Sequence, residues 1–173
     1  RSIDSIMLKD RMDGFAHYLL TIELDKLSNK DLDQLIAISV FLIDKNYSKG
    51  LLLKWLKNSV FNYYNSTNVV SWTYLFDATQ LDDHILKSLF LPLLSKIKMD
   101  DVELFFKPIR HHRLFLFLWE EFVSKQDSHT ILLKLNVSLD PLYVFFKEFI
   151  DELIQTKSER LFEFCAIQET YNI

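Results

Sequence analysis

Glycine is almost missing from this chain: Gly14 and Gly50 are its only two among 173 residues, and there are three prolines beside them. Turns that need positive φ and tight hairpins lean on glycine. The scarcity therefore argues against a β-rich fold and for helices joined by short polar loops. It also removes two phosphate-binding devices, since neither a P-loop nor a dinucleotide-binding turn can be assembled from two isolated glycines. A single cysteine, Cys165, leaves no intramolecular disulfide and points to a reducing, intracellular setting, cytoplasmic or nuclear. The three sequons at Asn46, Asn65 and Asn136 argue the other way. In a chain rich in Asn, Ser and Thr they are read as chance matches. Long apolar runs are lacking as well. The longest, Leu35 to Ile43, is interrupted by Ser39 and falls far short of the roughly 20 residues of a membrane span, so a core helix and no membrane partner are expected. The start, Arg1-Ser2-Ile3-Asp4, has no signal-peptide character, and opening on Arg rather than Met suggests a piece of a longer protein.

What the chain does have is apolar and aromatic mass. Its composition of 49% hydrophobic, 14% aromatic and 25% charged residues excludes a disordered chain and predicts one helical domain over residues 1–173. A net charge of -4 gives no global attraction to nucleic acid or to an anionic membrane.

Apolar residues recur at helical spacing along the whole length. Phe15, Tyr18, Leu19 and Ile22 form a first stripe, with Gly14 read as a break before it. Ser28-Asn29-Lys30-Asp31 resembles a capping box, followed by Leu32, Leu35, Ile36, Ser39, Leu42 and Ile43. After Asn46 and Ser48 come Leu51, Leu52, Trp55, Leu56 and Val60, and the polar cluster Asn62 to Asn68 reads as a loop. Val69, Trp72 and Phe76 then lead to Asp82-Asp83 and the stripe Ile85, Leu86, Leu89, Phe90, Leu93 and Leu94, inside which Pro92 should kink or end a helix. Asp100-Asp101 opens a short helix with Val102, Phe105 and Phe106, and Pro108 should kink or interrupt the run into Arg110 to Val123. Asp127-Ser128 and Asp140-Pro141 are start signals, and Ser158 precedes a last stripe of Leu161, Phe164 and Cys165. The expected architecture is all-α, a helical bundle or short α-solenoid of about eight to ten helices. A shift of about 38 positions carries the apolar pattern of residues 28–58 onto 66–96, the spacing of a helix-pair repeat.

The catalytic census is empty. No nucleophile with an adjacent base, carboxylate pair or metal cluster stands out. Of the histidines at 17, 84, 111, 112 and 129, only the adjacent pair invites a metal reading, and neighbours on a helix point about 100° apart rather than at one ion. Cys165 is expected to be a buried small hydrophobe. No enzyme activity, no cofactor and no small-molecule substrate are expected.

Recognition is therefore sought on surfaces. The densest basic run is Lys107-Pro108-Ile109-Arg110-His111-His112-Arg113, whose Lys107, Arg110, His111, His112 and Arg113 are the candidate partner-binding residues. The other reading of this run is a solvated loop that balances Asp100, Asp101 and Glu103. The apolar run Leu114 to Trp119 implies burial on more than one side or a face awaiting a partner. The expected function is a non-enzymatic protein–protein interaction or scaffold domain whose partners are other protein subunits of a larger assembly. A helical module contacting RNA or DNA through residues 107–113 is the alternative.

Asn68 to Phe106 also resembles the passage from BTB to BACK domains in ubiquitin-ligase adaptors. The resemblance is carried by Leu75-Phe76-Asp77-Ala78 before Leu81, by Leu89-Phe90 and Leu93-Leu94, and by Asp101-Val102. It covers less than a quarter of the chain, has no strand-rich counterpart upstream, and implies partner binding rather than catalysis.

Overall fold

The capping signals are where the helices begin. The Ser28 hydroxyl accepts from the Asp31 N–H at 3.1 Å, the Asp82 carboxylate from Ile85, Asp127 from His129 and Asp140 from Leu142. Each satisfies one backbone donor that the first turn of a helix leaves without an intrahelical acceptor. The computed structural model describes residues 3–173, with side chains from Asp10 onward, and the chain is all-α. Among the described residues there are ten α-helices and no strand: α1 Ile3–Leu19, α2 Asn29–Asp44, α3 Lys49–Tyr63, α4 Val69–Thr73, α5 Asp83–Leu94, α6 Val102–Phe106, α7 Phe115–Val123, α8 Ser128–Leu135, α9 Pro141–Gln155 and α10 Arg160–Thr170. None of these helices is long and apolar enough to cross a membrane.

The chain forms two compact units, Arg1–Leu93 and Leu94–Ile173. In the first, α3 packs on α1 and α2, and α2 packs on α4. Leu52, Trp55, Leu56 and Val60 of α3 are buried, as the stripe requires, against a core that includes Leu32, Ile36, Trp72 and Phe90. The Phe76 and Phe90 rings lie 4.4 Å apart. Two asparagines build the loop after α3. Asn65 Oδ1 accepts from the N–H groups of Thr67 and Asn68, while the buried Asn68 side chain accepts from Asn65 N–H and donates to the Tyr63 carbonyl. Short polar side chains bonding to their own backbone stop the helix there.

In the second unit α9 packs on α6, α8 and α10, and α7 packs on α10. Ten of the 15 phenylalanines follow residue 94. Phe105, Phe106, Phe115, Trp119, Phe122, Phe145, Phe146, Phe149 and Phe164 form one connected set of buried rings with neighbouring centroids 4.9–6.4 Å apart, many of them edge to face. That geometry places the positive ring edge on the negative face of its neighbour. Leu114, Phe115, Leu118 and Trp119 are buried and Leu116 and Phe117 half-buried, so the all-round apolar run is used within its own unit.

Four expectations are corrected or narrowed. Gly14 breaks nothing, since α1 runs through it at negative φ. Of the expected stripe Leu19 is buried and Phe15 and Ile22 half-buried, whereas Tyr18 is exposed and Ala16 is buried in its place. Residues 110–114 are turn, so Pro108 interrupts the run rather than kinking it, and the regular helix resumes at α7. Cys165 is exposed, one helical position round from buried Phe164. The 38-residue shift also fails as geometry: it carries the 16-residue α2 onto a five-residue α4 with a 3₁₀ turn at Tyr74–Asp77, so apolar spacing repeats but helix length does not. The stretch resembling the BTB-to-BACK passage straddles the two units, and residues upstream of it are helical.

Both glycines lie in helices, and among the described residues a methyl group added at either meets no atom within 4 Å beyond its chain neighbours and its own helix backbone. Replacing Gly14, in the interior of α1, by Ala is expected to raise stability by about 0.5–1 kcal/mol through the lost freedom of the unfolded backbone. The same change at Gly50, in the first turn of α3, should give less. Chemical denaturation of the two variants checks both; a drop in midpoint for Gly14→Ala would show a packed contact on that face.

Candidate functional site

The basic run 107–113 forms the turn between α6 and α7, with Ile109 buried and Lys107, His111 and Arg113 exposed. Lys107, Arg110 and His111 face α9. Glu148 and Glu152 stand one helical turn apart there: Lys107 Nζ lies 3.8 Å from Glu148, Arg110 Nε 3.5 Å from Glu152 Oε2, and His111 Nε2 2.9 Å from Glu152 Oε1. The sequence pattern suggested Asp100, Asp101 and Glu103 as the balancing acids. In the structure, acids some 40 residues further along the chain stand against the turn, because α9 packs on α6.

A second cation holds the turn from beneath. Arg160, at the start of α10, donates from one guanidinium nitrogen to the Arg110 carbonyl at 2.8 Å and from the other to the His112 carbonyl at 3.2 Å. Its guanidinium carbon lies 5.7 Å from the centre of the Phe115 ring. Burial lowers the pKa of Arg160, with Glu163 acting the other way; the group remains a cation throughout the working pH range. Within the turn, Arg110 donates to the Lys107 carbonyl, and His112 Nδ1 accepts from the Leu114 N–H at 3.0 Å. The two histidines thus serve different partners, His111 a carboxylate and His112 a backbone amide. Nearby, burial raises the Glu103 carboxyl above its ordinary pKa against the opposing pull of Lys107.

Of the candidate residues, Lys107, Arg110 and His111 are brought together on one acidic helix face, and Arg110 and His112 contribute carbonyls to Arg160. Arg113 lies exposed at the far end of the turn. Arg160 is the residue sequence reading missed. It appears as an isolated base 47 positions after Arg113, and no local pattern marks a side chain whose acceptors are backbone carbonyls of a distant turn.

Lys134 forms a comparable clasp between α8 and α9. Its ammonium lies 3.2 Å from Asp140, the N-cap of α9, and 3.4 Å from the exposed Asp100. Burial acts to lower its pKa, but the hydrogen bonds and charges of Asp140 and Asp100 outweigh it and the net shift is upward. A lysine raised on folding contributes stability that is complete below its unfolded value near 10.5 and is lost as pH climbs through the folded value. Thermal melts are accordingly expected to fall more steeply above about pH 10.5 for the native chain than for Lys134→Met. Parallel curves for the two would remove Lys134 from that role.

Grooves open on both units. In the second unit a groove of about 590 Å³ lies among α8, α9 and α10, lined by Leu135, Tyr143, Ile150 and Cys165 with Lys147 and Asp151. In the first, a groove of about 400 Å³ runs between α2 and the segment from α4 through the 3₁₀ turn. Among the described residues no group of three or more His, Cys, Asp or Glu is placed to hold a metal ion. Compared with protein-family models, curated proteins and solved structures, the chain matches none.

Proposed function

We propose that this chain is a non-enzymatic interaction module that holds protein subunits of a larger assembly together. The observation that supports it best is the pair of grooves. Both are lined mainly by apolar side chains with a few charged residues among them, which is the usual make-up of a surface that receives a partner. Around the groove of the first unit the aromatic side chains are left in water, Phe41 57% and Tyr74 54% exposed, although buried apolar positions lie beside them on the same elements. Exposed aromatics gathered on one concave surface differ from the scattered apolar residues of any protein surface.

The nucleic-acid alternative draws less support, since Lys107, Arg110 and His111 already face Glu148 and Glu152, whose carboxylates would repel phosphate. Size-exclusion chromatography with light scattering, combined with affinity capture from cell extract, tests the proposal. A specific retained protein partner or a defined self-assembly is the expected result. A stable monomer that retains nothing specific would overturn it.

A further inference from the structure

The groove of the first unit carries a charge signature that narrows its occupant. Its lining includes two carboxylates, Asp33 from α2 and Asp77 from the 3₁₀ turn, and no lysine, arginine or histidine. Asp33 Oδ1 is buried and accepts no hydrogen bond among the described residues. A buried carboxylate oxygen without a donor is costly, and a cationic donor arriving from outside relieves it. Asp33, Ala37 and Phe41 follow one another at four-residue steps and so lie along one face of α2, opposite Tyr74. The Lys45 ammonium already stands 5.7 Å over the Phe41 ring. That leaves the carboxylates and the Tyr74 ring as the seat for an incoming cation, with the apolar side of Phe41 for a neighbouring side chain.

We infer that this groove binds a protein segment presenting an arginine together with a large apolar residue. The inference rests on the interaction-module reading and names the chemistry of its partner. Arginine fits because a planar guanidinium can bridge a carboxylate and stack on an aromatic ring at once. Asp33 and Phe41 are two helical turns apart, about 12 Å at 1.5 Å per residue. The two anchor side chains of the partner are therefore separated by a similar distance, three or four residues in an extended segment or seven or eight in a helix. A nucleic acid or an anionic membrane surface is disfavoured by the same two carboxylates.

The test uses the full 173-residue chain to select from a phage-displayed library of random dodecapeptides, followed by binding measurements with the selected peptides made synthetically. The expected consensus is an arginine and a large apolar residue at one of those spacings. Exchanging that arginine for citrulline, its neutral isostere, should weaken binding at least tenfold. The double variant Asp33→Asn/Asp77→Asn should do the same while melting within a few degrees of the native chain. The citrulline comparison stands on its own should the double variant fail to fold. Amide resonances of residues 33–41 and 71–80 should shift on titration. A consensus without a basic residue, equal binding of the citrulline peptide, shifts confined to the second unit, tighter binding of single-stranded DNA or anionic vesicles, or no selected peptide would each overturn the inference. If capture still retains a specific protein partner, equally with the native chain and with the double variant, this inference falls while the interaction-module reading stands; if the chain is a stable monomer and capture retains nothing specific, that underlying reading falls too.

Discussion

Phe106→Ala is expected to cost about 3–5 kcal/mol, a large share of the roughly 5–15 kcal/mol that holds a typical domain folded. The ring is fully buried and touches four others: Phe105, Phe115, Trp119 and Phe122, at centroid distances of 4.9, 6.0, 5.1 and 5.5 Å. Truncation removes its transfer free energy, leaves a cavity that neighbours wedged edge to face cannot easily fill, and forfeits the ring contacts themselves. Phe106→Leu retains more of the volume but none of the ring geometry, so its smaller loss would separate the two contributions. Urea denaturation of the native chain and the two variants, followed by far-ultraviolet circular dichroism, reports both. A cost below about 1 kcal/mol for Phe106→Ala would mean that the cluster does not hold the second unit together.

Arg160→Ala is expected to cost about 2–4 kcal/mol, because two carbonyls of the 107–114 turn would lose charged donors in a partly buried place. The side chains of this turn that face α9 work differently. Lys107, Arg110 and His111 pair with Glu148 and Glu152 across half-exposed surface, where water and salt screen the attraction. Glu152→Gln should consequently cost only about 0–1 kcal/mol and respond to added salt. Arg160→Ala should be nearly insensitive to salt. Arg160→Lys would keep the charge and recover only part of the loss, since a single ammonium cannot reach both the Arg110 and His112 carbonyls as a fork does. Equal costs for Glu152→Gln and Arg160→Ala would show that the ion pairs, not the carbonyl clamp, define the turn. That comparison also bears on recognition. If the turn is set from beneath by Arg160, its outward cations can be changed without loss of shape, and any partner effect of Lys107 or Arg113 substitutions can be read directly.

A second pair of residues separates satisfied from unsatisfied burial. Trp119 donates its indole N–H to Gln168 at 2.7 Å, whereas the equally buried Trp72 N–H has no acceptor among the described residues. Trp119→Phe should therefore lose more stability than Trp72→Phe in parallel thermal melts, since only the first breaks a hydrogen bond and strands its partner.

The features legible in the sequence were those that act over a few residues. Helix starts at Asn29, Ser128 and Pro141 were legible because an N-cap bonds to a backbone amide two or three positions ahead. The apolar stripes of α2 and α3 were legible because helical period alone decides which residues share a face. Scarce glycine was enough to set aside a hairpin-rich fold. Tertiary packing decided the rest. Tyr18 and Cys165 sit next to buried positions at helical spacing, yet which flank of a stripe is covered depends on the helix that arrives from elsewhere. Residues 107–113 showed their charge in sequence but not their partners, which come from α9 and α10 only because α6 and α7 pack there. The Asp33 to Phe41 face of α2 became one side of a groove only when the segment from α4 to the 3₁₀ turn packed beside it. Local periodicity specifies helices and their apolar faces. Contacts between distant elements specify which charges are answered within the chain and which are left to be answered by another molecule.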